Sequence, residues 1–577
     1  MPRCLASLLR PLILSLLALG TSVSAHAAIT IDLSYINTQS TAYTRFKNWV
    51  DQAVAGNPGY EFSATDAAIM FRRTGQAHYC TYGVSMIEAQ VSAAEARIAA
   101  GQNPEVASDS YLHAGAKIGD LALVYDWCSA QVSGTQRTRW ATYAERTIAN
   151  IWTPNQAQWG GRSAPWTGWG TNDPANNYYY SFLRATMYWG LATNSTTWLN
   201  FLQGQKIPPL QNYFGLLVGG GSEEGTGYGT SHHKLFELYR VWRDSTGTDL
   251  ANANSHLTDT ISYWLHATVP TLNRFAPYGD QSRNSNPEFY DYHRHLVLEA
   301  RHMSGNAAAR DLASWWLNNN SVAAMSSGFN LRDDLLPAGT SGAVPTAPLT
   351  YIASAIGHLF TRTGWNTAAT WLTFSAGSYD QSHAHQDQGS FTLFSGNWLA
   401  VTENIWSRSG IQGGTEVHNV LRFVRNNTNV RQREGTRSTM TVHQLGPSAG
   451  EVHVSGDLTA AYTAGAGVTA WTRRLDFTGS KLVVSDQYAV LSGTRAIFQI
   501  NTPVQPVING REATAGSLKV RVIEPTNATL SVVNWRNVDT DFNSGWKLEI
   551  EGASTNTGFI VELTTGEQIF KGGFEAP

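Results

Sequence analysis

The sequence predicts a multidomain α+β chain, an all-α half followed by an all-β half, on three observations. From about Asp32 to Asn330, apolar residues recur at i, i+3 and i+4, the helical period. A linker rich in Pro, Gly, Ser and Thr follows, from Pro337 to Pro348. Beyond it the period falls to 2, the signature of strands. The 577 residues are enough for about two to four domains with full cores.

Residues 1–27 read as a signal peptide. Arg3 and Arg10 precede or flank a short apolar run, Leu12 to Leu19, and Ala25-His-Ala27 is an A-x-A cleavage site. Cleavage is expected after Ala27, giving a secreted or periplasmic protein. Losing the two arginines takes the net charge from −3 to −5. No later apolar run approaches the length of a membrane span. Cys4 leaves with the leader. Cys80 and Cys128 remain, either paired by an oxidising compartment or buried as separate thiols.

Residues 28–340 form the helical region. Tyr82–Ala100, Ser110–Cys128, Gln136–Ile151, Asn177–Leu191 and His256–Phe275 are predicted helices, separated by turn clusters such as Gly101-Gln-Asn-Pro104. Successive antiparallel helix pairs stack in an array or close into a ring. Residues 341–577 supply the strands, among them Thr370–Ser375, Ser390–Phe394, Trp398–Thr402, Asn419–Val424, Leu482–Ser485 and Leu518–Ile523. So many short strands argue a large antiparallel β-sandwich.

Composition bounds function. Charged residues are only 14% of the chain and nearly balanced, which excludes a basic nucleic-acid scaffold and a polyelectrolyte-like disordered chain. The 20 Trp and 23 Tyr suit neutral glycan contact and cores equally well.

Three segments carry chemistry. In Ser382-His383-Ala-His385-Gln-Asp387, His-x-His on a strand would place both imidazoles on one face. His385, Glu403 and His418 make a candidate Zn²⁺ ligand set. Glu223-Glu224-Gly-Thr-Gly-Tyr228, leading to His232-His233, is a Gly-rich passage into a helix without the Lys-Ser/Thr of a phosphate loop. Neighbouring glutamates diverge in direction, so Glu223 and Glu224 do not flank one bond as a glycosidase pair. In Asn172 to Tyr180, Asn176-Asn177 opens a helix, where a side-chain amide caps the helix or meets a carboxylate ligand. The nearby Trp152, Trp159, Trp166 and Trp169 mostly pack between helices, with one or two free to stack on sugar rings.

In this order the segments resemble the heparinase II/III-like polysaccharide lyases, a group that includes alginate and oligoalginate lyases. Tyr125-Asp126-Trp127, Glu224-Gly-x-x-Tyr228, Gly279-Asp280, His383-x-His385-x-Asp387-x-x-Ser390-Phe391 and His418-Asn419 carry the resemblance, which spans nearly the whole mature chain. It implies an (α/α) toroid followed by an antiparallel β-sandwich, acting on an acidic polysaccharide by β-elimination. Asn177 would contact the uronate C6 carboxylate, with His383 helping to neutralise it. Tyr228 would act at C5 and the glycosidic oxygen. His385, Glu403 and His418 would hold a structural Zn²⁺. Glu224, Tyr178 and Trp169 join the implied substrate site.

Two departures stand out. Glu403 replaces a frequent Asp, and Tyr178 stands where the family often has His. A second charge neutraliser would then come from elsewhere, with His232, Arg283 and Arg408 as candidates. A tyrosine serving as base needs its pKa lowered by nearby positive charge. Two other classes compete: a glycoside hydrolase using Glu224 and Asp280, and a catalytically silent glycan-binding protein. The sparse, slightly acidic charge favours an unsulfated uronan.

Overall fold

The structure is a computed structural model that describes residues 29–280, 287–326, 329–340, 342–401 and 407–566. The predicted signal peptide, Arg283 and Glu403 lie outside the described residues.

The helical half comprises α1 (Thr41–Val54), α2 (Ala64–Thr74), α3 (Ala77–Ala99), α4 (Ala114–Trp127), α5 (Gly134–Trp152), α6 (Asn177–Ala192) and α7 (Thr196–Phe201). Then come α8 (Ile207–Leu216), α9 (Gly225–Tyr228), α10 (His232–Thr246), α11 (His256–Ala267), α12 (Asp291–Met303) and α13 (Ala307–Asn319). Local chemistry sets several ends. Ser133 and Gln136 form a capping box at the start of α5, and Gly75 ends α2 in the left-handed region. The predicted helix reaching Phe275 stops at Ala267, because Pro270 cannot continue it.

Helices α2, α4, α6, α10 and α12 pack in sequence as an inner ring, with α3, α5, α7, α11 and α13 outside them. The 3-10 turn Leu331–Leu335 and α1 fill the gap between α12 and α2. The inner helices bury polar residues as well as apolar ones, and those polar groups meet along the axis. Arg332 bonds Asp66 (3.0 Å) and Thr65 Oγ1 donates to Asp120 (2.6 Å). Arg184 lies 3.7 Å from Asp120 and 3.6 Å from Glu237. Arg240 pairs with Glu299 (2.8 Å), and His295 spans Glu299 (3.6 Å) and Asp333 (3.0 Å). Arg332 then returns to Asp333 at 3.8 Å. Each inner helix thus contributes to one circuit of charge, where every buried ion has a partner. Cys80 in α3 and Cys128 after α4 form a disulfide across 48 residues of sequence. Among the described residues, no helix is long and apolar enough to cross a membrane.

The second half is antiparallel throughout. A five-stranded sheet, ordered Thr350–Ala353, His358–Arg362, Thr370–Ser375, Phe391–Ser395, Asn397–Ala400, adjoins the toroid. Its side chains divide between two faces. Phe360, Trp371 and Phe394 enter the toroid's core, whereas Leu359, Leu372 and Leu393 enter the core of the sandwich. Arg362, fully buried, seals the seam by donating to the carbonyls of Leu265, His266 and Thr268. Beyond it lie an eight-stranded sheet centred on Val468–Phe477 and Lys481–Val490 and a second five-stranded sheet centred on Thr494–Thr502.

Candidate functional site

The site forms where three irregular segments cross between the toroid and the sandwich. Thr226 donates its N–H to the Tyr278 carbonyl (2.7 Å) and accepts the Tyr278 N–H on its hydroxyl (3.0 Å). Asp280 N–H reaches the His383 carbonyl at 2.8 Å. Two glycines make the crossing possible. A Cβ on Gly225 (φ +85°) would stand 2.2 Å from Tyr278 O, and one on Gly279 (φ +69°) would stand 2.7 Å from His383 O. The backbones touch at these points, which brings Glu224, Tyr228, Asp280 and His383 together.

The His-x-His segment is a loop rather than the predicted strand. It connects the short strand Ser378–Tyr379 to Phe391–Ser395 and is tied down by Asp280 instead of by a ladder. Both imidazoles still converge, on one carboxylate. Asp280 meets His383 Nδ1 at 3.2 Å, His385 Nε2 at 2.8 Å and Gln412 Nε2 at 3.2 Å. Burial pushes the Asp280 pKa up, but these hydrogen bonds outweigh it and hold the carboxyl well below the usual range. An ionised Asp280 only accepts, so His383 carries its proton on Nδ1 and His385 on Nε2. The Tyr228 and His383 rings stack at 3.5 Å, 7° from parallel.

Tyr228 departs from expectation. Burial raises its pKa, and the nearby carboxylates of Asp280, Glu224 and Asp109 raise it further, so the phenol is protonated rather than activated by positive charge. Tyr178 donates to Asp109 at 2.9 Å, and its pKa is pushed up to about 12 by burial and by that carboxylate.

Asn176 and Asn177 share the start of α6 and divide its tasks. Asn176 Oδ1 caps the helix by accepting Tyr178 N–H (3.0 Å). Asn177 is 8% exposed, and its Oδ1 is buried without a partner. Glu224 lies beside it, only 1% exposed, with neither carboxyl oxygen hydrogen-bonded. That burial removes Glu224 from direct substrate contact and corrects the expected role. Burial first, then Asp173, pushes its pKa up to about 8. Glu223 turns the other way to accept from Tyr213 (2.9 Å).

His232 is no charge neutraliser. It is buried against Tyr180, Phe214 and His256, and burial lowers its pKa to about 3, so it is a neutral core residue. Arg408 is exposed on the loop that delivers Gln412 to Asp280. Trp169, 48% exposed, stands on the loop before α6, while Trp159 is buried and Trp152 and Trp166 pack into the helical core. Asp280, a motif residue and candidate hydrolase carboxylate by sequence, is here the acceptor for two histidines, and nothing in the sequence singles out Gln412; the contacts that define both span more than 100 residues.

The expected Zn²⁺ set is tested by the small cavity between His385 and His418, whose rings lie 5.2 Å apart. His385 gives Nε2–H to Asp280, which leaves Nδ1 with a free lone pair, the carboxylate–histidine pattern of metal ligands. His418 Nε2 is buried without a partner. These two imidazoles fit a metal ion. Among the described residues no third His, Cys, Asp or Glu completes a cluster, and Glu403 lies outside them.

No family model matches the sequence, and no curated protein matches it. Solved structures do. Heparinase III aligns with a TM-score of 0.61 at 13% identity, covering 94% of this chain and 88% of its own. Heparan sulfate lyase HepC from Pedobacter heparinus aligns at 0.57 and 13% identity, covering 93% and 85%. Chondroitin AC lyase of Streptomyces coelicolor A3, in complex with chondroitin sulphate, aligns at 0.56 and 10%, covering 92% and 80%. The chain has the fold of these polysaccharide lyases, an α toroid joined to antiparallel β sheets.

Proposed function

We propose that this protein is a polysaccharide lyase that cleaves a uronic-acid-containing polysaccharide by β-elimination, leaving a 4,5-unsaturated uronate. One observation carries the reading: a tyrosine stacked on a histidine whose Nδ1 is held by a half-buried carboxylate. His383, with Nδ1–H given to Asp280, keeps the Nε2 lone pair to take the C5 proton. Tyr228, its phenol intact, gives a proton to O4 as the glycosidic bond breaks. Asn177, in the first turn of α6, meets the C6 carboxylate with its amide and the positive end of the helix, which stabilises the enolate-like charge.

Rings in van der Waals contact leave no space for a sugar between them. Both groups therefore approach the same face of the C4–C5 bond, which makes the elimination syn. D-Glucuronate and D-mannuronate carry H5 and O4 on one face; L-iduronate, L-guluronate and D-galacturonate carry them on opposite faces. The substrate is accordingly a polymer of D-glucuronate or D-mannuronate units, and the sparse cationic charge suits an unsulfated one. Trp169 and Arg408, both exposed, suit flanking sugars. Zn²⁺, held by His385 and His418 with Glu403 as third ligand, would serve as a structural cross-link that fixes the loop bearing His383.

The hydrolase alternative needs two accessible carboxylates. Glu224 is sealed from solvent, and Asp280 is occupied by two histidines and a glutamine. The test is ultraviolet absorbance of the new double bond after incubation with glucuronan, hyaluronan, polymannuronate, polyguluronate and heparan sulfate. Tyr228→Phe should lower the rate about 100- to 10,000-fold with the fold intact. Full activity in that variant, or products lacking unsaturation, would overturn the reading.

A further inference from the structure

Three buried polar atoms at the start of α6 and on the segment beside it have no hydrogen-bond partner: Glu224 Oε1, Glu224 Oε2 and Asn177 Oδ1. A buried carbonyl oxygen without a donor is costly, and an ionised carboxylate in the same pocket would be costlier still. The Asn177 backbone N–H is directed at the Glu224 carboxyl and pulls its pKa down, but by less than burial raises it. The charged neighbours do not favour an anion. Asp173 approaches from the loop before α6, and among the described residues the cation that acts on Glu224 is Lys234 on α10, whose own pKa burial lowers. Tyr178 and Tyr180 on α6 and Tyr228 at the end of α9 complete the surroundings, and all three phenols have raised pKa values.

One proton on Glu224 removes the buried charge and supplies the donor that Asn177 Oδ1 lacks. We propose, resting on the lyase reading above, that Glu224 is a positioning residue: its carboxyl O–H donates to Asn177 Oδ1 and turns the Asn177 amide so that Nδ2 faces the uronate carboxylate. The arrangement has a built-in polarity. If Glu224 were ionised, it would attract the amide N–H groups instead, the side chain would flip, and Oδ1 would be presented to the substrate's own carboxylate. Glu224 thereby decides whether Asn177 attracts or repels the substrate. Its pKa of about 8 places that change at the alkaline end of the working range.

The experiment compares pH profiles of kcat/KM for the wild type, Glu224→Ala and Glu224→Gln on a cleaved polymer. Glu224→Ala removes the donor and should lower kcat/KM about 10- to 100-fold. Glu224→Gln supplies an N–H donor that cannot ionise. It should recover most of that loss and remain active above pH 8, where the wild type declines. Equal impairment of both folded variants, or an alkaline decline that persists in Glu224→Gln, would overturn the proposal. Infrared spectra of the free protein separate this outcome from failure of the lyase reading. An acid carbonyl band that is absent in Glu224→Gln, titrates near pH 8 and shifts in Asn177→Ala supports the proposal even if no polymer is cleaved. A wild type without that band overturns it.

Discussion

Two carboxylates flank Tyr228, and the molecule treats them in opposite ways. Asp280, at the seam with the sandwich, has three donors aimed at it and stays ionised although it is mostly buried. Glu224, on the toroid side, is buried with no donor closing on it, and burial holds it neutral up to about pH 8. Burial alone does not set the charge of a group. The hydrogen bonds supplied to it decide whether the ion survives. One corner of the site is thus built around a fixed anion and the other around a fixed acid.

That contrast can be broken from either side. The largest effect is expected for Asp280→Asn, which can no longer accept from both histidines. Loss of the His383 tautomer should lower kcat about 100-fold, measured as initial rates of double-bond formation. A loss of less than about threefold would mean that Asp280 does not fix the histidine. Next comes the pH dependence of stability. The pKa of Glu224 is raised on folding from 4.5 to about 8, so the folded state holds its proton more tightly. Its contribution is full below pH 4.5 and is lost as pH rises through about 8. Between those limits the wild type should lose about 5 kcal/mol relative to Glu224→Gln, read by denaturant melts. Equal slopes would show an ionised Glu224.

On the Asp280 side, elemental analysis should find about one zinc per chain, and His385→Ala should lower both the zinc content and Tm, the latter by about 3 °C. A metal-free wild type of equal stability would remove zinc from the account. The smallest effect is expected at the rim. Trp169→Ala should raise KM about 3- to 10-fold without a matching fall in kcat, as loss of ring stacking requires.

Much of the architecture was legible because it rests on periodicity. The helical spacing through α3, α5 and α6 and the alternation at Thr370–Ser375 follow from which face is buried. The site was legible in its ingredients and less so in their states. Tyr228, His383 and Asn177 stand out through the resemblance to the lyases, but the sequence carries no sign that Tyr228 is surrounded by carboxylates. His-x-His reads as a strand by spacing, yet Asp280, 103 residues away, holds it as a loop. His232 beside His233 looks available for a ligand until Tyr180, Phe214 and His256 close around it. Long-range crossings made by Gly225 and Gly279 decide these matters, and local pattern does not encode them.

The circuit of ion pairs along the toroid axis also governs how a polymer can arrive. Arg184 is seven residues below Asn177 on α6, so the charged layer lies about 10 Å beneath the site. It stoppers the ring, which becomes a bowl instead of a tube. On the lyase reading, a polymer would reach the site across the rim and not through the charged layer beneath it.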